Sequence, residues 1–346
     1  MTGKKTIITI CAVAFLALMG AGSAIALMWY QDNRKANFNH SQILYVYPET
    51  TLDDIMTQVS DSATVKNAKS LARSFAKENV AQRLQPGKYE IKPSASSIYV
   101  ARMLANGWQT PCKLTLSGSL RQKGQIARKI ANQMMVDSAA VMHALSDDAL
   151  LSAYGFDSAS AFAMIIPDTY EMWWTASVEE ILARFKKEYD SFWTEERKAK
   201  ASAQSLTPLQ VSVVASIVKG ESNYVPEYPK IAGVYLNRYH IGMKLQADPT
   251  VAFCYDYTLN RILRKHLEID SPYNTYKYAG LPPAPICSPT KECLDAVLNP
   301  DVSDGYLYFC ADASFNGQHR FARSYLVHLQ NARAFQKALN NRNNAL

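Results

Sequence analysis

From Thr6 to Tyr30 the chain carries no charged residue, and most of these positions are apolar. Such a run exceeds the roughly 20 helical residues needed to cross the hydrocarbon core of a bilayer. Lys4 and Lys5 precede it, Trp29 and Tyr30 stand where an interfacial aromatic belt belongs, and Arg34-Lys35 follow. The two positive pairs balance, so charge alone does not orient the helix. A short tail over residues 1–5 most simply stays in the cytoplasm, which puts everything after the run outside. The expectation is a single-pass anchor over residues 6–30 in the cytoplasmic (inner) membrane, with the bulk of the chain on the extracytoplasmic side. A cleavable signal peptide is the rival, because Ala21-Gly22-Ser23-Ala24 offers small residues near a cleavage geometry, although the run is longer than a usual signal core. Both readings export the rest.

A length of 346 residues suits about two domains beyond the anchor. Hydrophobic content of 48% with 19% charged residues fits a folded chain rather than a disordered one. The net charge of +7 is spread out, with short clusters such as Lys186-Lys187. No basic stripe or nucleic-acid module accompanies it, so nucleic acid is not expected as a partner. A modest positive balance suits a membrane face or an anionic wall polymer. Cys11 lies in the apolar run, which leaves Cys112, Cys254, Cys287, Cys293 and Cys310, an odd set that cannot pair completely. Cys287 and Cys293 could close a small loop. The absence of Cys-x-x-Cys, His-Glu-x-x-His, a nucleophile elbow and a phosphate loop argues against a metal or cofactor.

The expected fold class is α+β. Residues 31–41 are polar and read as a juxtamembrane linker. Over 42–110 a strand Ile43–Tyr47, helices near 52–60 and 66–78, the turn Pro86-Gly87, a strand Lys88–Lys92 and a helix 96–106 ending at Asn106-Gly107 follow in order. This strand–helix–helix–strand order resembles a small carbohydrate-binding LysM-like unit. Residues 111–205 read as a mostly helical connecting region, with a strand-like Lys113–Leu116 and a helix near 121–135. The polar, Ala/Ser-rich stretch 195–205 reads as a boundary before a last domain over 206–340.

That last domain opens on coincident helix-start signals. Thr207 is placed as N-cap, Pro208 as the first helical residue, Gln210 as the other half of a capping box, and Leu206 with Val211 as a hydrophobic staple. Val214, Ile217, Val218 and Glu221 then share one helical face. That face is otherwise apolar and carries Glu221 to the edge of the core, where desolvation raises a carboxyl pKa. A carboxylic acid protonated near neutrality can donate to a glycosidic oxygen. The bland alternatives are an ion pair with Arg238 or Arg261, or a carboxylate pointing to solvent.

Ala215-Ser216-Ile217-Val218-Lys219-Gly220-Glu221-Ser222 resembles the Ala-Ser-Ile-(Val/Ile)-Glu-Lys-Glu-Thr motif of the endolytic murein transglycosylases, the MltG or YceG-like family. Asn237-Arg238, Gly242-Met243-Lys244-Leu245-Gln246-Ala247-Asp248-Pro249-Thr250-Val251, Tyr273-Asn274-Thr275-Tyr276, Gly280-Leu281-Pro282-Pro283, Pro285-Ile286, Ser288-Pro289, Tyr306-Leu307-Tyr308-Phe309 and His319-Arg320-Phe321 continue the family's pattern in its order. Upstream, Gly87-Lys88-Tyr89 and Pro167-Asp168-Thr169-Tyr170 resemble two more markers. Several ordered motifs are far less accidental than one short match.

The resemblance implies a YceG-like catalytic domain over 206–340, with Glu221 as the catalytic residue. Two departures stand beside it: Lys219 replaces the motif's first Glu, and Gly220 its Lys. Gly220 lets a sugar approach the backbone, or marks the helix end. The implied activity is endolytic lytic transglycosylation of nascent peptidoglycan glycan strands between N-acetylmuramic acid and N-acetylglucosamine. One Glu acts as acid and then as base, and 1,6-anhydro ends result without hydrolysis. Gln246, Asp248, Tyr273, Asn274, Thr275 and Tyr276 are the substrate-binding candidates, with turn bracing or core packing as their alternatives. Leu281-Pro282-Pro283 is expected as a rigid wall and His319 as a structural histidine. Cell-wall synthesis proteins are the implied partners. The rival functions are a non-catalytic peptidoglycan-binding scaffold at the membrane and a lysozyme-like hydrolase.

Overall fold

A computed structural model describes residues 2–60 and 65–344. The fold is mixed α+β and divides into two compact units, Met1–Lys113 with Glu171–Ala176, and Leu114–Tyr170 with Ser177–Leu346.

The first unit begins with helix α1 (Thr2–Asn33), which from Ile7 to Asn33 is long and apolar enough to cross a membrane. Strand β1 (Gln42–Val46) follows, then α2 (Leu52–Ser60), α3 (Ala68–Lys77), α4 (Val80–Arg83), β2 (Gly87–Ile91) and α5 (Ser97–Asn106). β1 and β2 pair antiparallel, with Leu44 opposite Tyr89 and Val46 opposite Gly87. The period of two turns Leu44 and Val46 inward onto Ile55, Leu71, Phe75 and Tyr89, while Ile43 and Tyr45 stay exposed. Side-chain caps set the helix starts: Asn67 accepts from the amide of Ser70 (3.0 Å), and Ser96 from that of Tyr99 (3.4 Å). Gly107 ends α5 in the left-handed region, at φ 66°. The returning segment Glu171–Ala176 places Trp174 edge-on to Tyr45 and Tyr47, with ring centroids 5.0 and 4.9 Å away.

Residues 31–41, expected as a linker, are part of this folded unit. α1 runs on to Asn33, and the Arg73 guanidinium grips Asp32 with two hydrogen bonds of 3.0 and 2.7 Å. Asn37 is buried. Its side-chain amide donates to Asn67 O and Ser97 Oγ (2.9 Å each), and its Oδ1 accepts from the Asn67 amide (2.7 Å). Phe38 is fully buried beside it. A stretch polar on average conceals two side chains that the core requires.

Short strands β3 (Cys112–Thr115) and β4 (Thr169–Met172) mark where the chain passes between the units. The second unit holds α6 (Lys123–Ala131), α7 (Ser138–Ala144), α8 (Asp148–Ser152), α9 (Ala161–Met164), α10 (Val178–Phe192), α11 (Glu195–Ala203), α12 (Pro208–Glu221), α13 (Tyr228–His240), α14 (Asp248–Cys254) and α15 (Lys291–Leu298). It closes with the hairpin β5 (Tyr308–Ala311) and β6 (His319–Ala322) and with helix α16 (Tyr325–Asn344). The expected boundary at 195–205 is helix α11: Thr194 caps it, and Glu195–Lys198 and Glu196–Lys200 pairs brace its exposed side. Ser205 then takes a left-handed φ of 56°, and α12 leaves at 75° to α11.

At the start of α12 the capping box forms as expected, with Thr207 and Gln210 each accepting from the other's amide (3.2 and 2.8 Å). All residues from Val211 to Val218 are buried, so the helix is enclosed on every side by α13, α14 and α15 rather than on one face. Its two interior hydroxyls are satisfied locally: Ser212 donates to Pro208 O, and Ser216 donates to Val213 O while accepting from the amide of Ile286 (3.0 Å). Cys287 and Cys293, spaced to close a loop, stand as buried free thiols.

Gly220 has a packing role. A Cβ there would lie 2.5 Å from Pro249 Cβ and 2.8 Å from its Cγ, so the glycine lets α12 and the start of α14 touch. Neither a sugar approach nor a helix stop is needed to explain it. Gly220→Ala is therefore expected to destabilise the protein by about 1–3 kcal/mol through overpacking, against the roughly 1 kcal/mol that Ala contributes in an unconstrained helix. Thermal unfolding of the two proteins decides the sign. Asn37→Ala leaves the Asn67 amide and carbonyl without those partners and is expected to destabilise the first unit by about 2–3 kcal/mol, with faster hydrogen exchange at the Asn67 amide.

Candidate active site

Glu221 is the last residue of α12, behind Val214, Ile217 and Val218, each fully buried. The helix C-terminus presents carbonyl ends there, which disfavour a negative charge. Among the described residues one satisfies the carboxyl: the Tyr235 hydroxyl, from α13, donates to Oε1 at 2.5 Å. Tyr235 is itself 2% exposed, with its ring edge-on to Phe309 at 5.9 Å. Burial is the largest influence on Glu221 and pushes its pKa from 4.5 up to about 7. The Tyr235 hydrogen bond pulls the other way, the charge of Asp248 pushes further up, and that of Arg238 pulls down. Burial and the nearby carboxyl drive the Tyr235 phenol well above its ordinary pKa, so it remains a donor.

The ion-pair alternative does not hold. Arg238 is 8% exposed and spends its guanidinium on backbone carbonyls, with Nε donating to Leu307 O (2.6 Å) and a terminal nitrogen to Leu245 O (2.5 Å). Among the described residues Glu221 pairs with neither Arg238 nor Arg261. Lys219 is engaged elsewhere, with Asn223 Oδ1 at 3.1 Å and the Tyr228 hydroxyl at 3.5 Å. The departure from the family motif at that position leaves the carboxyl's hydrogen bond intact.

Glu221 lines two clefts at once. One, of about 250 Å³, is shared with Arg238, Gln246, Asp248, Tyr276, Tyr308 and His328. The other, of about 620 Å³, is lined by Ser222, Asn223, Asp312, Phe315, His319 and Arg342 among others.

Of the substrate-binding candidates, the structure brings Gln246, Asp248 and Tyr276 to the smaller cleft. Gln246 takes φ 50° and donates its amide to Thr275 O (3.1 Å). Asp248 opens α14, and its Oδ1 accepts from the Tyr276 hydroxyl at 2.6 Å. The other three lie away from both clefts. Asn274 is fully buried, its amide nitrogen donating to Leu267 O and Ile269 O (2.9 and 2.8 Å) and its oxygen accepting from the Tyr276 amide (3.0 Å). Thr275, 2% exposed, accepts from the Ala247 amide (2.9 Å) and bonds to the Thr250 hydroxyl (2.8 Å). Tyr273 packs on Phe253 at 4.6 Å and lines neither cleft. Thr275 holds the Gln246–Ala247 turn in place and Asn274 braces the segment that carries it, because a buried amide or hydroxyl must spend its hydrogen bonds within the protein.

His319 is held as a structural histidine by Glu227, which accepts from its backbone amide (3.0 Å) and contacts Nδ1 (2.8 Å). It also borders the larger cleft. Sequence reasoning missed Tyr235, Tyr308 and His328. Tyr235 had a findable signal: it falls on the apolar stripe of α13 with Tyr228, Ile231 and Ala232, and a buried phenol requires a partner. His328 had none. It stacks on Tyr308 (5.5 Å, 25°), and burial and then the charge of Arg238 hold it neutral by lowering its pKa.

The description "YceG-like family" matches residues 44–334, most of the chain. A protein of Bacillus subtilis named endolytic murein transglycosylase is 37% identical over 152 residues, 44% of this chain and 41% of its own length. One of the same name from Streptococcus pneumoniae D39 is 24% identical over 92% of this chain, and the match covers 63% of its length. The matches thus span less than two thirds of these relatives. A crystal structure titled as a yceG-like protein from Listeria monocytogenes superposes with a TM-score of 0.54 at 26% identity, covering 84% of this chain and 99% of that one. The chain belongs to the YceG-like family.

Proposed function

We propose that this chain is a membrane-anchored endolytic lytic transglycosylase that cuts the bond between N-acetylmuramic acid and N-acetylglucosamine in nascent peptidoglycan strands. One observation carries the proposal: the Glu221 carboxyl, with a pKa near 7, lines both clefts. The names of the Bacillus and Streptococcus relatives support it. A carboxyl that borders two clefts suits cleavage within a strand rather than at its end. Helix α1 serves as the single-pass anchor, with both units outside the cytoplasm. The first unit, by its strand–helix–helix–strand order, serves as a LysM-like module on the glycan, residues 206–340 as the catalytic domain, and cell-wall synthesis proteins as partners.

In this mechanism the Glu221 carboxyl gives its proton to the glycosidic oxygen as the C1–O bond of the muramic residue breaks. The carboxylate then removes the proton from that residue's C6 hydroxyl as its oxygen closes on C1. The product ends in a 1,6-anhydro ring, and the carboxyl is protonated again. A pKa near the working pH serves both half-steps. Tyr235 positions the carboxyl and steadies it when it is charged.

A second reading rests on Asp248, a second carboxylate in the smaller cleft. In a retaining hydrolase such a group is the nucleophile. Two measurements separate the readings: product mass, in which anhydro ends are lighter than hydrolysed ends by one water, and the Asp248→Asn variant. Transglycosylation predicts anhydro products from wild type and a D248N enzyme that still turns over. Its alkaline limb shifts to lower pH, because the Asp248 charge that raises the Glu221 pKa is gone. Hydrolysis predicts hydrated ends and a dead D248N.

Glu221→Gln is expected to lower kcat by about 10²–10⁴-fold on purified glycan strands. Retained cleavage in E221Q would point to another acid, and no cleavage by wild type would leave the scaffold alternative. The Tyr235→Phe variant loses the bond that holds the carboxyl pKa down, so its alkaline limb moves to higher pH while kcat falls about tenfold. The folded pKa of about 7 lies above the ordinary 4.5, so the native state binds the extra proton across that window and stability falls as pH rises through it. Glu221→Gln is therefore expected to be more stable than wild type at pH 8, by about 1–3 kcal/mol, with the difference vanishing toward pH 4.5. Urea melts at the two pH values measure it.

A further inference from the structure

The first unit holds a cleft of about 600 Å³ that the reaction does not use, lined by Asn33, Arg34, Glu90, Lys92, Tyr99 and Trp108 among others. Its floor is the end of α1, which is tied to the unit through Asp32–Arg73 and through the Ser70 hydroxyl on Gln31 O (3.4 Å). The cleft therefore has a fixed height above the apolar run. If that run ends at Tyr30, Arg34 lies about 6 Å farther along the helix axis at 1.5 Å per residue. The polar headgroup layer of one leaflet is about 5–8 Å deep. The cleft thus opens at headgroup level.

Its chemistry suits that layer. Arg34 and Lys92 are exposed and, among the described residues, form no ion pair, while Glu90 accepts from the Ser41 hydroxyl (3.1 Å). Two cations against one carboxylate leave one net positive charge, which matches the single negative charge of a phosphodiester. Tyr99 and Trp108 are 51% and 48% exposed, with ring centroids 5.9 Å apart. Exposed amphipathic rings of this kind settle at a membrane interface, with the ring toward the acyl region and the polar atom toward water.

We propose that this cleft binds the phosphate of an anionic membrane lipid, through Arg34 and Lys92 with Tyr99 and Trp108 against the upper acyl chain. The proposal rests on α1 being a membrane anchor. Lipid bound there would hold the first unit at the membrane face and so set the height from which it meets a growing glycan.

The test uses the full-length chain in detergent and native mass spectrometry, with phosphatidylglycerol and phosphatidylcholine of identical acyl chains as probes. Wild type is expected to retain phosphatidylglycerol about tenfold better. The Arg34→Ala, Lys92→Ala double variant should lose the preference while keeping its melting temperature and its rate on soluble glycan. The Lys35→Ala variant, whose residue lies outside the cleft, should keep it. Equal retention of the two lipids by wild type overturns the proposal, as does an equal loss in the Lys35 variant, which would signal diffuse surface attraction. Displacement of the lipid by millimolar inorganic phosphate, or by lipid-free glycan fragments, also overturns it and identifies a free-anion or saccharide site instead. A wild-type chain that stays soluble without detergent removes the anchor itself, a failure distinct from the lack of lipid preference in a chain that needs detergent.

Discussion

One hydrogen bond organises the second unit: the Tyr235 hydroxyl on the Glu221 carboxyl. A carboxyl at the end of a buried helix has few ways to be tolerated, since an uncompensated charge there is very unfavourable. Pairing it with an arginine would hold it ionised and leave no acid to donate. A neutral phenol satisfies one oxygen and still permits protonation. The cation whose charge acts on it, Arg238, is turned onto two backbone carbonyls and lowers the carboxyl pKa without pairing with it.

The surrounding packing keeps that arrangement in register. Gly220 lets α14 come against α12, and this brings Asp248 into the same cleft as Glu221. Asn274 and Thr275 hold the turn that leads into α14, with Thr275 and Thr250 joined hydroxyl to hydroxyl. The side chains that fix the geometry are therefore fully buried, and those that face the cleft stand one or two positions away. A short sequence motif in such a site mixes both kinds, and only burial separates them.

The two units show the same economy of polar groups. In the first, Asn37 bridges the end of the apolar helix to α3 and α5 and joins what would otherwise be a loose tether to the core. In the second, Ser216 anchors the segment at Ile286 to the helix that carries Glu221. Buried polar residues of this kind fix orientation, because each has few geometries in which all of its hydrogen bonds are made.

Local signals were legible because their causes lie within a few residues. The uncharged run to Tyr30, the Thr207–Gln210 capping box, the alternation in β1 and the apolar run ahead of Glu221 each follow from neighbours in the chain. The polar average of 31–41 and 195–205 misled, since composition does not reveal that Asn37 and Phe38 are core or that Thr194 caps a helix. Which candidates meet was decided by the tertiary structure alone. Residues 221, 235, 248, 276, 308 and 328 converge from five separate elements and the loop at 276. No local rule reports the burial that raises the Glu221 pKa, or separates Asp248 and Tyr276 in the cleft from Asn274 and Thr275 beneath it, because desolvation depends on what the rest of the chain packs around each group.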